Sequence, residues 1–416
     1  MIKQLKRFIP KSIKQWLVLK LTKIQSPVLG VGEDIRIVGH AAISISQKRA
    51  LVAYITAPFR LGPDDPRNLE FSNIGIGRSI VRALNELDYV VDVVEYSDKR
   101  FMPRNDYDLF IGHTGRNFQR IAGRLKPGTV KIYFSSGPYW RFWNEQEVKR
   151  IESLRQRRQV KYPFERIIKE SEEWANENAD AIICLGNDYA RQSYSRFPKV
   201  FNLNNASYYD DRYDWTKKDF TSARKNFLFF SGPGNVHKGL DLLLEAFIGL
   251  GAHLYICQRI NPDFLKIYRN ELTVAPNIHL VGVIPMRSRQ FYELVDRCAF
   301  IINPSCAEGQ PGGVVECMHQ GLIPVVSRET NIDTGDYGIT FQDCSVGEIV
   351  ETVRDLSGRS PEWCAEMSRK TRRVAVSEFS ASLFLRNIKD IIRSRVAGII
   401  SGPLEPERDG WNTWKG

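Results

Sequence analysis

The chain has 416 residues with a net charge of +11, and 43% of its residues are hydrophobic. One hydrophobic core rarely supports this length, so two globular domains are expected and a disordered chain is excluded. Seven cysteines without a CxxC pair argue against a disulfide framework and favour a reducing, cytoplasmic compartment, and no apolar run is long enough to span a membrane.

The first 32 residues form a basic segment that contains seven lysines or arginines and no acid. Apolar residues, Trp16 among them, alternate with these cations. This pattern predicts an amphipathic segment, residues 1–24, that lies on an anionic membrane surface, which would make the protein peripheral on the inner face of the membrane. A basic tail, or a helix that packs on the protein itself, is the alternative.

Short apolar runs alternate with helical stretches along the rest of the chain, which predicts an α/β fold of two Rossmann-like domains with parallel sheets. The polar linker 204–225 separates residues 33–205 from residues 206–381. The last helix, about residues 382–396, has one apolar face and can pack back on either domain, and residues 402–416 are expected to form a loose tail. The predicted strands are 51–56, 90–96, 108–112, 130–134, 181–185, 200–203, 226–231, 253–258, 278–281, 299–303, 323–327 and 338–341.

A glycine loop follows the first strand of the second domain and precedes a helix. Gly232 and Gly234 let the backbone approach a ligand, and a helix start favours anions. Lys238 at this start is favourable only if an anion offsets its charge, so a diphosphate is the expected ligand. The spacing excludes both the dinucleotide fingerprint and the NTPase phosphate loop. A turn with a solvated lysine is the alternative.

A second loop, after the strand at 299–303, has the same organisation and carries two carboxylates. Glu308 lies in the loop and Glu316 lies about one turn into the next helix, so both are expected to face one cleft. Such carboxylates suit bidentate acceptance of sugar hydroxyls. Two exposed glutamates at a helix start are the alternative. The loop residues between them are Gly309, Gln310, Pro311, Gly312 and Gly313.

Together the two loops resemble the signature of family 4 glycosyltransferases of the GT-B fold. The resemblance rests on Lys238-Gly239, the Glu308-x7-Glu316 pattern, Gly321 and Pro324-Val325-Val326, and it covers about residues 226–341. It implies two domains facing a central cleft. It also implies a retaining transfer of a sugar from a nucleotide-sugar to an acceptor hydroxyl, without a metal or a cofactor.

The resemblance also implies roles for individual residues. Lys238 would hold the donor diphosphate, Glu316 the ribose hydroxyls and Glu308 the donor sugar. Residues 309–313 would present main-chain amides, and Val283 would lie beside the nucleobase.

Three features depart from that family pattern, and one is that Gln310 and Pro311 stand where Phe-Gly is commoner. An arginine commonly precedes the Lys-Gly pair, and Arg259 is a possible substitute for it here. The histidine expected in the first domain is replaced by serines and a glycine. His113 is then either a catalytic residue at the cleft or a structural histidine.

The acceptor is expected to be a glycan or a lipid-linked sugar, as in bacterial surface or exopolysaccharide synthesis. Arg155, Arg157 and Arg158 form a basic patch that would meet a lipid-linked diphosphate, or else belong to a solvated charged helix. A sugar-nucleotide epimerase and a non-catalytic nucleotide-sugar-binding protein remain alternatives. Nucleic-acid binding is not expected, because acids are spread through the rest of the chain.

Overall fold

A computed structural model describes residues 35–37, 48–62, 64–210 and 212–401, with the backbone alone at 36–37 and 395–401. The basic segment at residues 1–32, its membrane contact and the tail at 402–416 lie outside the described residues. Within the described ranges, no helix is both long enough and apolar enough to cross a membrane.

The first sheet has the strand order β1-β3-β2-β4-β5-β6-β7. Its strands are parallel except β1, which pairs antiparallel with β3 at the edge and was not predicted. The strands are β1 (Ile35–Ile37), β2 (Lys48–Tyr54), β3 (Tyr89–Glu95), β4 (Leu109–Gly112), β5 (Val130–Ser135), β6 (Ala181–Leu185) and β7 (Val200–Leu203).

The second sheet has the order β10-β9-β8-β11-β12-β13, and all of its strands are parallel. The two sheets confirm the predicted α/β class. The strands are β8 (Asn226–Phe230), β9 (His253–Cys257), β10 (Ile278–Leu280), β11 (Phe300–Asn303), β12 (Ile323–Ser327) and β13 (Ile339–Phe341).

Helices cover both faces of each sheet, which explains why the inner strands are continuous apolar runs. All five residues of β6 and of β12 are buried, for example. The helices are α1 (Ser72–Asn85), α2 (Gly115–Ala122), α3 (Trp140–Arg158), α4 (Glu173–Asn178), α5 (Asp188–Gln192), α6 (Phe220–Ala223), α7 (Leu240–Phe247), α8 (Pro262–Ile267), α9 (Arg269–Thr273), α10 (Arg289–Arg297), α11 (Gly312–His319), α12 (Val346–Gly358), α13 (Pro361–Glu378) and α14 (Ala381–Ser401).

Two helices cross between the halves of the chain. The last helix, α14, returns to the first domain, where Phe384, Ile388 and Ile392 join the core beside its sheet. Conversely, α3 of the first half buries Ile151 and Leu154 in the core of the second domain. The domains therefore exchange one helix each.

The packing of α3 corrects the prediction of a basic acceptor patch. Arg158 donates to Glu245 (2.9 Å) and Glu271 (2.8 Å) of the second domain. Arg157 pairs with Asp241 and Glu245 of α7. Arg155 is exposed and pairs with a glutamate of its own helix. Two of the three arginines therefore bind the second domain instead of facing solvent.

Candidate functional site

The strand order places a ligand cavity at the edge of the second sheet. The direction in which successive strands are added reverses between β8 and β11, and open α/β sheets bind ligands outside the carboxyl ends of strands at such a point. A cavity of about 330 Å³ lies there. It is lined by Glu70, Phe230, Ser231, Gly232, Lys238, Cys257, Val283, Ile284, Met286, Glu308, Pro311, Gly312 and Gly313.

The glycine loop after β8 brings Lys238 into this cavity. Gly234 and Gly239 have φ of 103° and 78°, which a side chain would strain. A Cβ on Gly239 would also lie only 2.4 Å from the Pro304 carbonyl oxygen. The glycines therefore fold the loop tightly against the segment that follows β11.

Three backbone amides of the same loop already donate to a carboxylate of the protein, so they are not available to a ligand. The Glu165 carboxylate accepts from the amides of Asn235 (2.9 Å), Val236 (2.8 Å) and His237 (3.0 Å). Three successive amides form an anion-binding concavity, and here a carboxylate from the first half of the chain occupies it. The loop's contribution to the cavity is thus Ser231, Gly232 and Lys238.

Lys238 and Glu308 form a buried ion pair within the cavity. Their exposed fractions are 6% and 7%, and the ammonium contacts Glu308 Oε1. Ser305 donates to the same oxygen (2.9 Å). Burial, and then the Arg166 charge, lowers the pKa of the Lys238 amine. The site therefore holds one cation and one carboxylate side by side.

Glu316 is buried beneath Arg287 and does not line the cavity. It is only 1% exposed, and Arg287 donates to both of its oxygens, at 2.9 and 3.0 Å. Ser207 of the interdomain linker and Gln320 donate to the same carboxylate. The expectation that both glutamates face one gap is met by Glu308 and corrected for Glu316.

The amino end of α11 closes one side of the cavity. Gly312 and Gly313 are its first residues, and first-turn amides have no partner within a helix. A Cβ on Gly313 would lie 2.7 Å from the Phe230 carbonyl oxygen, so glycine lets the helix start approach β8. Donor amides thus face the space beside Lys238.

Comparison with known proteins agrees with this architecture. Residues 224–358 match the family model of glycosyl transferases group 1. The chain carries a group 1 glycosyltransferase domain. Comparison with curated protein sequences gave no match.

Solved structures show the same fold across both domains. Sucrose-phosphate synthase from Thermosynechococcus elongatus superposes with a TM-score of 0.58 at 13% identity, covering 85% of this chain and 100% of that one. HepE of Anabaena, in complex with UDP and glucose, gives 0.53 at 12% identity, covering 84% and 100%. WaaG, a glycosyltransferase involved in lipopolysaccharide biosynthesis, gives 0.55 at 14%, covering 82% and 99%. The expected family resemblance, GT-B fold and transferase class are confirmed.

His113 of this glycosyltransferase lies outside the cavity. It follows β4, and its Nδ1 donates to the Phe134 carbonyl oxygen (2.8 Å). Tyr54 and Tyr96 contact the ring edge-on. Burial lowers the pKa of His113, so the ring is neutral at pH 7. Its catalytic role stays a prediction.

The structure gathers some of the sequence-predicted residues and separates others. Gln310 donates to the linker residue Asn204 (2.9 Å) and to the Asn331 carbonyl oxygen (2.8 Å), so its side chain holds the domain junction. The cavity contains Gly232, Lys238, Val283, Glu308, Pro311, Gly312 and Gly313, whereas Gly234, Arg259, Gly309, Gln310, Glu316 and His113 are not among its lining residues.

Sequence reasoning missed Glu70, which reaches the glycosyltransferase cavity from the first domain. Burial, and then the charge of Glu316, raises the pKa of Glu70. It lies between β2 and α1, a connection that leaves the carboxyl end of a central strand. That position was the available signal, but nothing in the local residue pattern distinguishes Glu70 from a surface acid.

Proposed function

We propose that the protein is a retaining, metal-independent glycosyltransferase that moves a sugar from a nucleotide-sugar to a hydroxyl of a glycan or lipid-linked acceptor. The observation that carries this proposal is the juxtaposition of Lys238, Glu308 and the amino end of α11 around one cavity. A cation and helix amides suit a diphosphate, and a carboxylate suits sugar hydroxyls.

Binding of the donor changes the partner of Lys238. The diphosphate takes the ammonium that Glu308 contacts, and the Gly312 and Gly313 amides add hydrogen bonds to it. The Glu308 carboxylate is then free to accept a hydrogen bond from a hydroxyl of the sugar. Lys238 then pairs with the diphosphate and Glu308 keeps a hydrogen-bond donor, so neither buried group is left without a polar partner.

In the transfer step, the acceptor oxygen bonds to the anomeric carbon as the bond from that carbon to the diphosphate oxygen breaks. The acceptor attacks on the face from which the diphosphate leaves, and the leaving phosphate takes the acceptor proton. Lys238 and the amides stabilise the charge that gathers on the diphosphate, which is the role expected of pre-placed donors. Configuration at the anomeric carbon is retained.

Two further carboxylates act on the donor. Glu70 faces the cavity from the first domain and accepts donor hydroxyls across the cleft. Glu316 gives up its contacts with Arg287 and instead accepts hydrogen bonds from the ribose hydroxyls. The first is directly available to the ligand, whereas the second requires a local rearrangement.

UDP-sugars are the first donors to test, because HepE, whose fold is similar, has been crystallised in complex with UDP-glucose. The acceptor approaches from the first domain, on the side of His113. The lipopolysaccharide role of WaaG supports surface-polysaccharide assembly as the setting. A cytoplasmic enzyme held on the membrane by residues 1–24 would reach a lipid-linked acceptor.

A thermal-shift screen against UDP-, GDP-, ADP- and dTDP-sugars identifies the donor. The transfer reaction is then run in the presence of EDTA, which removes metal ions, and NMR of the product gives its anomeric configuration. We expect one nucleotide class to stabilise the protein and the product to keep the donor configuration. An inverted product, or activity abolished by EDTA, contradicts the mechanism. Formation of an epimer of the donor without transfer, or binding of the nucleotide-sugar without release of the nucleotide, contradicts the proposed transferase activity.

A further inference from the structure

A second and larger cavity, of about 540 Å³, lies between α3 and the carboxyl edge of the second sheet. Gln146, Lys149, Arg150, Ser153 and Arg157 form one wall, and they share a face of α3 because they recur at helical spacing. Ligand pockets commonly enclose about 300 to 1,000 Å³, so the space suits a small molecule.

The opposite wall is polar and follows the second-domain strands. Glu329 comes after β12, and Asp343 and Ser345 come between β13 and α12. The Glu348 carboxylate accepts from the amides at 342–344, and Ser345 Oγ accepts the Glu348 amide. The wall therefore offers side-chain carboxylates and a hydroxyl, whereas the backbone amides at 342–344 and 348 already have partners.

The cations of the α3 wall differ in how they are balanced. Arg157 is neutralised by Asp241 and Glu245. Lys149 pairs with Glu145 on its own helix (3.0 Å) and stays largely exposed. Arg150 donates to the Pro304 carbonyl oxygen (2.9 Å), and among the described residues no carboxylate lies within ion-pair distance of it. Arg150 thus contacts no carboxylate of the described residues, although the charges of Asp241 and Glu329 act on it from farther away. Lys149 has only an exposed ion pair, so both cations can bind an anionic ligand.

The cavity of about 330 Å³ that Lys238 and Glu308 line is called the donor cavity. The second cavity is separate from it, and the two share no lining residue. The segment from Pro304 to Glu308 is the wall between them. Cys306 lines the second cavity, and Glu308 lines the donor cavity. A ligand in the second cavity would therefore contact the back of the segment that positions Glu308.

We propose that the second cavity binds a sugar carrying a phosphate monoester. Arg150 and Lys149 bind the phosphate, because guanidinium and ammonium groups form charge-assisted hydrogen bonds with its oxygens. Glu329, Asp343 and Ser345 on the facing wall accept hydrogen bonds from the sugar hydroxyls. This site goes beyond the donor and acceptor positions of the transfer reaction.

Isothermal titration of the full chain with glucose 6-phosphate, in saturating UDP, tests the proposal. We expect binding to persist in UDP and to weaken at least tenfold in Lys149→Glu. Lys266→Glu is the matched control, since Lys266 is also exposed and ion-paired within its own helix, away from both cavities. The control is expected to bind as the wild type does.

Two further titrations separate the phosphate from the sugar and from the donor cavity. Inorganic phosphate and glucose are each expected to bind at least tenfold more weakly than glucose 6-phosphate, and Lys238→Ala is expected to leave glucose 6-phosphate binding unchanged. The proposal is overturned if glucose 6-phosphate fails to bind, if UDP or Lys238→Ala abolishes its binding, or if Lys149→Glu has no effect. Equal affinity for inorganic phosphate also overturns it.

Discussion

The two glutamates of the second loop have opposite environments although they are only eight positions apart. Glu308 contacts a lysine at the wall of the donor cavity, where a ligand can replace the contact. Glu316 lies behind the wall, held by Arg287 and by the interdomain linker. The first ion pair lines a cavity, and the second connects α11 to the interdomain linker and to the segment before α10.

The difference follows from helix geometry. Glu308 precedes α11 and lies on the loop that leaves β11, at the sheet edge where ligands bind. Glu316 is the fifth residue of α11, and its side chain meets the linker and the segment before α10. Equivalent acids in a sequence motif can therefore carry unequal shares of binding and of stability.

The largest expected effect comes from breaking the second pair. In Arg287→Ala, the buried Glu316 carboxylate loses its cation, and the free energy of unfolding should fall by about 3 kcal/mol. Because Glu316 is then free for ribose, the donor should raise the melting temperature more in this variant than in the wild type. Denaturant unfolding and thermal shift measure the two quantities.

Arg289→Ala is the matched control for that experiment. Its guanidinium is 94% exposed and pairs with the exposed Glu293 on the same helix, so its loss should cost under about 1 kcal/mol. Adding Glu316→Ala to Arg287→Ala should restore part of the lost stability. An equal donor-induced shift in Arg287→Ala and the wild type would show that Arg287 does not restrain Glu316.

Breaking the first pair should act on turnover. Lys238→Ala removes the cation that the diphosphate requires, and we expect turnover to fall at least tenfold, equivalent to about 1.4 kcal/mol of barrier. Steady-state kinetics with the identified donor provide the measurement. Lys218→Ala is the control, because Lys218 is also buried but donates to the Cys298 carbonyl oxygen away from the cavity. Unchanged turnover in Lys238→Ala would reject its phosphate role.

The smallest effect is expected at Glu70, the carboxylate of the first domain. Glu70→Gln should weaken donor binding about threefold to tenfold, since the amide keeps one acceptor but loses the charge. Because the pKa of Glu70 is raised, acidification should protonate it before an ordinary glutamate and weaken donor binding in the wild type. The variant should lack this part of the pH dependence. Titrations of both proteins across pH check it, and parallel profiles would contradict it.

The strands could be predicted, and so could the placement of the Lys238 and Glu308 loops at one sheet edge, because both depend on local pattern. Apolar runs identify buried parallel strands, and glycine loops at their carboxyl ends identify the binding edge. Glu165, Arg287 and Glu70 could not be assigned in this way. Each acts through a partner that is distant in sequence, as when Glu165 binds the amides at 235–237.

The exchange of helices between the domains could not be predicted from the sequence either. The charged residues of α3 favour solvent when read alone, yet Arg157 and Arg158 meet acids of the second domain and Ile151 enters its core. For α14, the apolar face predicts burial but does not specify which domain buries it. Complementary surfaces decided both placements, and a single sequence does not show which surfaces will meet.

A crystal structure with the bound nucleotide-sugar tests the central claim most directly. We predict a diphosphate oxygen about 2.7 to 3.2 Å from Lys238 Nζ, with the Glu308 carboxylate turned to a sugar hydroxyl. A diphosphate bound elsewhere while Lys238 and Glu308 remain in contact would contradict the account.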